Sequence, residues 1–212
     1  MTIDLAPALR VLGYCAIAAA VTTFLNTIAP HFYSADSFEG RAALIHHPVY
    51  MARQWVLLVH PAFTLVLALG MALALFSRAP GKAAGGLLFA SVEKMTEFLL
   101  GVTILFVVNG VWKVEFLETM GTPAADRSRS LIEAFNQLLD GCYFLLWSMF
   151  ILSTALLSAA LGRTNPIERW IVATAGLTIL LTILMMLGEY AGQSGWTGPI
   201  VEWLYSPALT LH

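Results

Sequence analysis

The sequence predicts an all-α fold: an integral membrane bundle of five transmembrane helices with a short interfacial helix at the C-terminal end. Three observations lead there. Of 212 residues, 58% are hydrophobic and 11% charged, whereas soluble domains carry about 25% charged residues. Too few polar atoms remain to cover a water-facing surface. Mean hydropathy is +0.77. The apolar residues also fall into runs near the roughly 20 residues that a helix needs to cross hydrocarbon, where lipid offers the backbone no hydrogen-bond partner.

Five runs qualify, at about residues 7–29, 54–76, 85–111, 132–161 and 170–190. The first is alanine-rich and shares that trait with secretory signals; we count it as a retained span. A sixth apolar piece, residues 196–211, holds Pro199, Glu202 and Pro207 and is too broken to span. It reads as an interfacial helix with Trp196, Trp203 and Tyr205 at headgroup level. Pro30, Arg78-Ala-Pro-Gly-Lys82, Gly121-Thr-Pro123 and Asn165-Pro166 punctuate the chain between runs, as turn formers should. No internal repeat and no separate soluble domain is evident, so residues 1–212 read as one transmembrane domain.

Charge sets the expected orientation. Arg10, Arg78, Lys82, Arg163 and Arg169 lie on one side, in a terminus and two short connections of net positive charge. Arg41, Arg53, Lys113, Arg127 and Arg129 lie on the other, offset by Asp36, Glu39, Glu115, Glu118 and Asp126 in longer connections. The positive-inside rule then puts the N-terminus inside and the C-terminus outside a bacterial inner membrane. The scattered Lys and Arg form no basic face, which excludes nucleic acid as a partner and leaves membrane lipid, a small molecule or another membrane protein.

Ionisable groups inside spans are costly and mark function or packing. In the third run Glu93, Lys94 and Glu97 sit roughly 12 to 18 Å from the inner end at 1.5 Å per residue. Lys94 and Glu97, three apart, can pair, which leaves one carboxylate over. The fourth run carries Glu133, Asn136 and Asp140, a stripe that continues through Tyr143 and Trp147 and is expected to face the bundle interior. In the second run Arg53 and His60 share a face, and Pro61 frees a backbone carbonyl four residues earlier. Asn26, Asn109 and Glu189 occupy outer halves of their runs.

Taken together, His60, Glu93, Glu97, Asn109, Asn136, Asp140 and Glu189 are the candidate ligand-binding residues. They are expected around an outward-facing polar cavity, floored by the acidic cluster and rimmed by Arg53, Trp112 and Lys113. The plain alternative is a set of ion pairs and hydrogen bonds that only lock helix packing. His31, His46, His47 and His60 match no standard metal spacing, so no metal site is assigned. Paired haem histidines, the Glu-x-x-His di-iron pattern, nucleophile elbows and phosphate loops are absent from the sequence, and no cofactor is specified. Cys15 and Cys142 lie in apolar runs, where a thiol behaves as a small hydrophobe.

Leu9-Arg-Val-Leu-Gly-Tyr14, the run Val92-Glu-Lys-Met-Thr-Glu-Phe-Leu-Leu-Gly101 and Asn165-Pro-Ile-Glu-Arg-Trp170 together resemble a group of bacterial multi-span membrane proteins known as domain of unknown function 4386. The resemblance implies a helical bundle, of six spans in that group, and no activity. Three functional classes stay open: a ligand-binding membrane protein, an accessory subunit docked through its aromatic and acidic C-terminal piece, and a membrane enzyme. The last would use Glu97 or Asp140 with His60 for acid–base chemistry on a lipid-soluble substrate.

Overall fold

The computed structural model describes residues 6–190. The expected interfacial helix at 196–211 lies outside the described residues. Every regular element among the described residues is helical, and five helices are long and apolar enough to cross a membrane. They are built from α1 (Ala6–Ile28), α3 (Pro48–Leu75), α4 (Pro80–Val102) with its continuation, α6 (Pro123–Ala160) and α7 (Pro166–Tyr190). A short helix α2 (Phe38–Ala43) lies between α1 and α3, and α5 (Lys113–Glu118) completes the α4 rod.

Local chemistry explains where these helices begin. Pro48, Pro80 and Pro123 stand in the first turns of α3, α4 and α6, where the missing N–H costs nothing. Asn165 Oδ1 accepts a hydrogen bond from the Glu168 N–H (2.8 Å), and the Glu168 carboxylate accepts from the Thr164 N–H in return (2.8 Å). This reciprocal arrangement starts α7 as a capping box does. Arg78 pairs with the same carboxylate at 2.8 Å, tying the α3–α4 turn to the start of α7. Gly121 ends the α5 side of the α5–α6 turn at φ +83°, a left-handed conformation that favours glycine.

Two helices extend well beyond the apolar runs at 85–111 and 132–161. The α4 rod is a continuous 39-residue helix, Pro80–Glu118, and α6 has 38 residues, each nearly 60 Å at 1.5 Å per residue. An apolar window stops at Lys113 and Glu133, but helical hydrogen bonding does not. The surplus turns are stabilised by packing: Phe116 and Ala125 are buried together with Ala42, and Ser128 donates a hydrogen bond to the Glu115 carboxylate (2.8 Å). The expected long connection between the third and fourth runs is therefore mostly a helical hairpin, capped by α2 through an edge-on Phe38–Phe116 contact at 4.9 Å.

The rod is π-helical from Thr103 to Trp112. Adjacent residues there serve two neighbours: Val108 joins Ile132 and Phe135 of α6, while Asn109 meets Tyr50 of α3.

Each long helix packs chiefly on its neighbour in sequence, in the order α1, α3, α4 rod, α6, α7. Glycines set the close approaches. A Cβ on Gly86 would lie 2.7 Å from Leu157 Cγ, and one on Gly101 would lie 3.4 Å from Leu58 Cα. Gly101 also faces Leu57, whose carbonyl is the one that Pro61 leaves without its helical donor. At one end Ala72, Leu75, Ala83, Leu157 and Ala160 close the interior; toward the other, Val108, Ile132 and Phe135 do so. Large apolar side chains, among them Leu9, Ile17, Phe24, Leu73, Leu88 and Leu180, point outward and are exposed.

Because Gly86 sits against both side chain and backbone of Leu157, Gly86→Ala should lower stability by about 1–3 kcal/mol through overpacking. Gly81 has open space around its Cβ position, so Gly81→Ala should leave stability unchanged or slightly raised. Thermal unfolding of both variants in detergent checks this, and equal melting temperatures would contradict the packing.

Candidate functional site

Between its two ends the bundle holds a partly open cavity of about 830 Å³, lined by α1, α3, α4 and α6, with Ile171 of α7. Its walls are mostly apolar. Alanines 16, 19 and 20 of α1 and alanines 68 and 74 of α3 create the room, and Tyr143, Trp147 and Phe150 of α6 form an aromatic wall. The Tyr143 and Trp147 rings stack at 5.9 Å between centroids. Across the cavity, α1 and α6 do not pack extensively on each other.

One charged group interrupts the apolar lining. Lys94 Nζ lies 2.6 Å from Glu93 Oε1 and 2.9 Å from Glu97 Oε2. The expected Lys94–Glu97 pair is present, and the carboxylate left over shares the same ammonium. Residues one apart on a helix do not face each other, but the four-carbon Lys94 stem bends between both acids. The cluster still holds two carboxyl groups against one ammonium. Glu93 is buried at 6% exposure, so the surplus must be met by a proton or a cation.

His60 lines the same cavity, with Nδ1 2.8 Å from Thr22 Oγ1. The Thr22 hydroxyl lies 2.8 Å from the Ala18 carbonyl. Donation of its one proton there, the usual helical back-bond, makes Nδ1–H the donor to Thr22 and leaves the lone pair on Nε2. Gln54 also lines the cavity, is 5% exposed, and hydrogen-bonds to no described residue.

The structure thus brings together three of the seven expected site residues: His60, Glu93 and Glu97. Asn109 lies ten residues of α3 beyond His60, at the level of Tyr50. There Tyr50 donates to Asn109 Oδ1 (3.0 Å) and accepts from Lys113 Nζ (2.9 Å). Arg53 donates to the Asn26 carbonyl and to the Tyr33 hydroxyl, both at 3.3 Å. Trp112 packs edge-on against Phe135 at 6.3 Å. The expected rim is therefore a belt of protein–protein contacts, and Arg53, Trp112 and Lys113 do not line the cavity.

Asn136, Asp140 and Glu189 are exposed, contrary to the expected convergence. The α6 stripe divides: Tyr143 and Trp147 face the cavity, while Glu133, Asn136 and Asp140 continue past its end. Glu133 instead receives Arg129 Nε at 2.9 Å, and the Asp140 carbonyl accepts from the Tyr190 hydroxyl at 2.6 Å. The vestibule expected to be polar is consequently an apolar chamber with one charged wall.

His47 lies against Tyr33 at 5.8 Å, apart from His60, and no three His, Cys, Asp or Glu side chains converge on a metal position among the described residues. Sequence reasoning missed Gln54 because it marks the start of an apolar run. Its spacing of four from Tyr50 and seven from Pro61, both buried, was the available signal. Comparison with protein-family models, with curated proteins and with solved structures finds no match.

Among the described residues, Lys94 is the sole ammonium or guanidinium on the cavity wall. Lys94→Met, which strands the buried Glu93 carboxyl group and the half-buried one of Glu97, should cost about 3–5 kcal/mol of stability. Adding Glu93→Gln and Glu97→Gln to it should restore most of that loss, as read by melting temperature in detergent. A single variant as stable as the triple one would show that the cluster is fully solvated.

Proposed function

We propose that this chain is an integral protein of a bacterial inner membrane that binds a small, largely apolar molecule inside its helical bundle. The observation that carries the reading is the Glu93–Lys94–Glu97 cluster on the wall of a cavity of about 830 Å³. Cavities of about 300–1,000 Å³ with few polar groups are the usual form of small-molecule sites. A group of charges kept inside an apolar bundle is rarely retained for stability, since apolar replacements pack as well. The apolar walls favour a molecule over a bare ion.

The exposed leucines, valines and phenylalanines support the membrane setting, because a water-soluble bundle would hide them. A hydrocarbon core about 30 Å thick covers some 20 residues of each helix. Set between Arg53 on α3 and Arg78 in the α3–α4 turn, it leaves Glu115 and Glu133 in water and holds His60 and the acidic cluster near mid-depth. Asp140 and Asn136 then lie at the headgroup boundary, where polar side chains cost little. The separation of α1 from α6 gives an apolar ligand a lateral route from the lipid. Charge bias places the α3–α4 and α6–α7 turns inside and the α5–α6 turn outside.

Native mass spectrometry of protein gently extracted from its own membrane tests the binding. We expect a defined non-lipid adduct that Glu97→Ala removes and Asp140→Ala keeps. A bare chain, or an adduct indifferent to Glu97, would overturn the reading. Orientation is checked separately in a background lacking Cys15 and Cys142. Asp126→Cys should react with an impermeant maleimide in intact cells with a permeable outer envelope, and Ser77→Cys only after the inner membrane is opened; the reverse pattern inverts the topology.

A further inference from the structure

We propose that the ligand of this cavity is a lipophilic cation: an apolar body carrying one positive charge, seated against Glu97 and facing the Tyr143–Trp147 pair. The proposal rests on the binding reading above and adds the chemical class.

The charge balance is the first argument. Two acids and one ammonium line the cavity. Lys94 is the one cation among the described residues that pairs with these acids; Arg53 donates to the Asn26 carbonyl and the Tyr33 hydroxyl, Lys113 to Tyr50, and Lys82 to the Ala159 carbonyl. His60 spends Nδ1 on Thr22. Lys94 approaches Glu97 through Oε2, and Oε1 accepts no hydrogen bond from a described residue, while the side chain keeps 22% exposure. A guest with a positive head satisfies that oxygen and cancels the surplus charge. An anionic head would add to a like charge in a poorly solvating chamber, which is the costliest outcome available.

Gln54 supplies an independent argument. Gln54 is 5% exposed, lines the cavity and hydrogen-bonds to no described residue. Unlike the sealed Asn26 Oδ1, His47 Nδ1 and Asn109 Nδ2 atoms, its amide opens to the cavity, where an entering polar group can pair with it. The amide carbonyl suits a positive head or its N–H groups. Tyr143 and Trp147, stacked on the α6 wall, offer the electron-rich ring faces that attract cations. Elsewhere the walls are mostly apolar, interrupted by the hydroxyls of Thr23, Thr64, Ser153 and Thr154, and hold an apolar body while offering a second charge no ionic partner.

The test uses two ions of nearly the same shape and opposite charge, tetraphenylphosphonium and tetraphenylborate, with neutral triphenylmethane as the uncharged probe. Binding is measured to the full chain in phosphatidylcholine nanodiscs, with empty discs subtracted. We expect saturable binding of the phosphonium at one per chain, at least about tenfold tighter than the borate, as one uncompensated charge at short range predicts. Glu97→Gln should erase about tenfold of the phosphonium affinity and narrow the gap between the ions.

Equal or preferred binding of the borate or the neutral probe would overturn the cation assignment while leaving the cavity a binding site. Absence of saturable binding for all three would overturn both. The comparison of ions on the unmodified protein stands even if Glu97→Gln fails to fold.

Discussion

One stripe of α4 faces the interior along its whole length: Gly86, Ala90, Glu93, Glu97 and Gly101, spaced three or four apart. Its ends are glycine and its middle is acidic, and that difference organises the bundle. Where the stripe has no side chain, neighbouring helices come close, α6 through Leu157 and α3 through Leu58. Where it carries carboxylates, they cannot. Burying an acid against leucine without compensation is too costly, so the walls stand apart and Lys94 turns in from the next position to hold both acids.

The helices opposite this stripe are shaped to the same end. Pro61 removes one backbone donor from α3, and Gly101 of α4 lies beside the carbonyl so released. One residue before the proline, His60 reaches across to Thr22 and ties α1 to α3 at the level of the cavity. Alanines on α1 and α3 keep those walls thin. The cavity is therefore a product of side-chain size and charge on three helices, with its ends closed by two separate apolar clusters.

Much of the fold is legible in the sequence because it depends on short-range chemistry. The prolines at 48, 80, 123 and 166 sit where first-turn geometry wants them, and the Lys94–Glu97 pair follows from helical spacing alone. Helix ends were harder to read. Hydropathy detects the apolar part of a helix and is blind to its polar continuation, so the α4–α5 rod and α6 run beyond their apolar cores. The same blindness misplaced Asn136 and Asp140. They share a helical stripe with Tyr143 and Trp147, but a stripe fixes azimuth and says nothing of which neighbour lies opposite at each level. Asn109 shows the related limit: its burial against Tyr50 depends on the π-helical segment, whose register shift no simple periodicity reveals.

The polar belt of Arg53, Tyr33, Tyr50, Asn109 and Lys113 has a different physical character from the acidic cluster, although both are largely withdrawn polar groups in apolar company. In the belt, Arg53 and Lys113 each donate to neutral oxygens, and the Tyr50 hydroxyl passes a hydrogen bond on to Asn109. That pattern joins α1, α3 and the π-helical segment; the Asn26 Oδ1 and Asn109 Nδ2 atoms within it are sealed off without partners, but they border no cavity. In the cluster, the charges do not balance and a neighbouring amide goes without a partner. Buried polar residues that complete one another hold a structure together; those left incomplete beside an empty volume are the ones a ligand can complete.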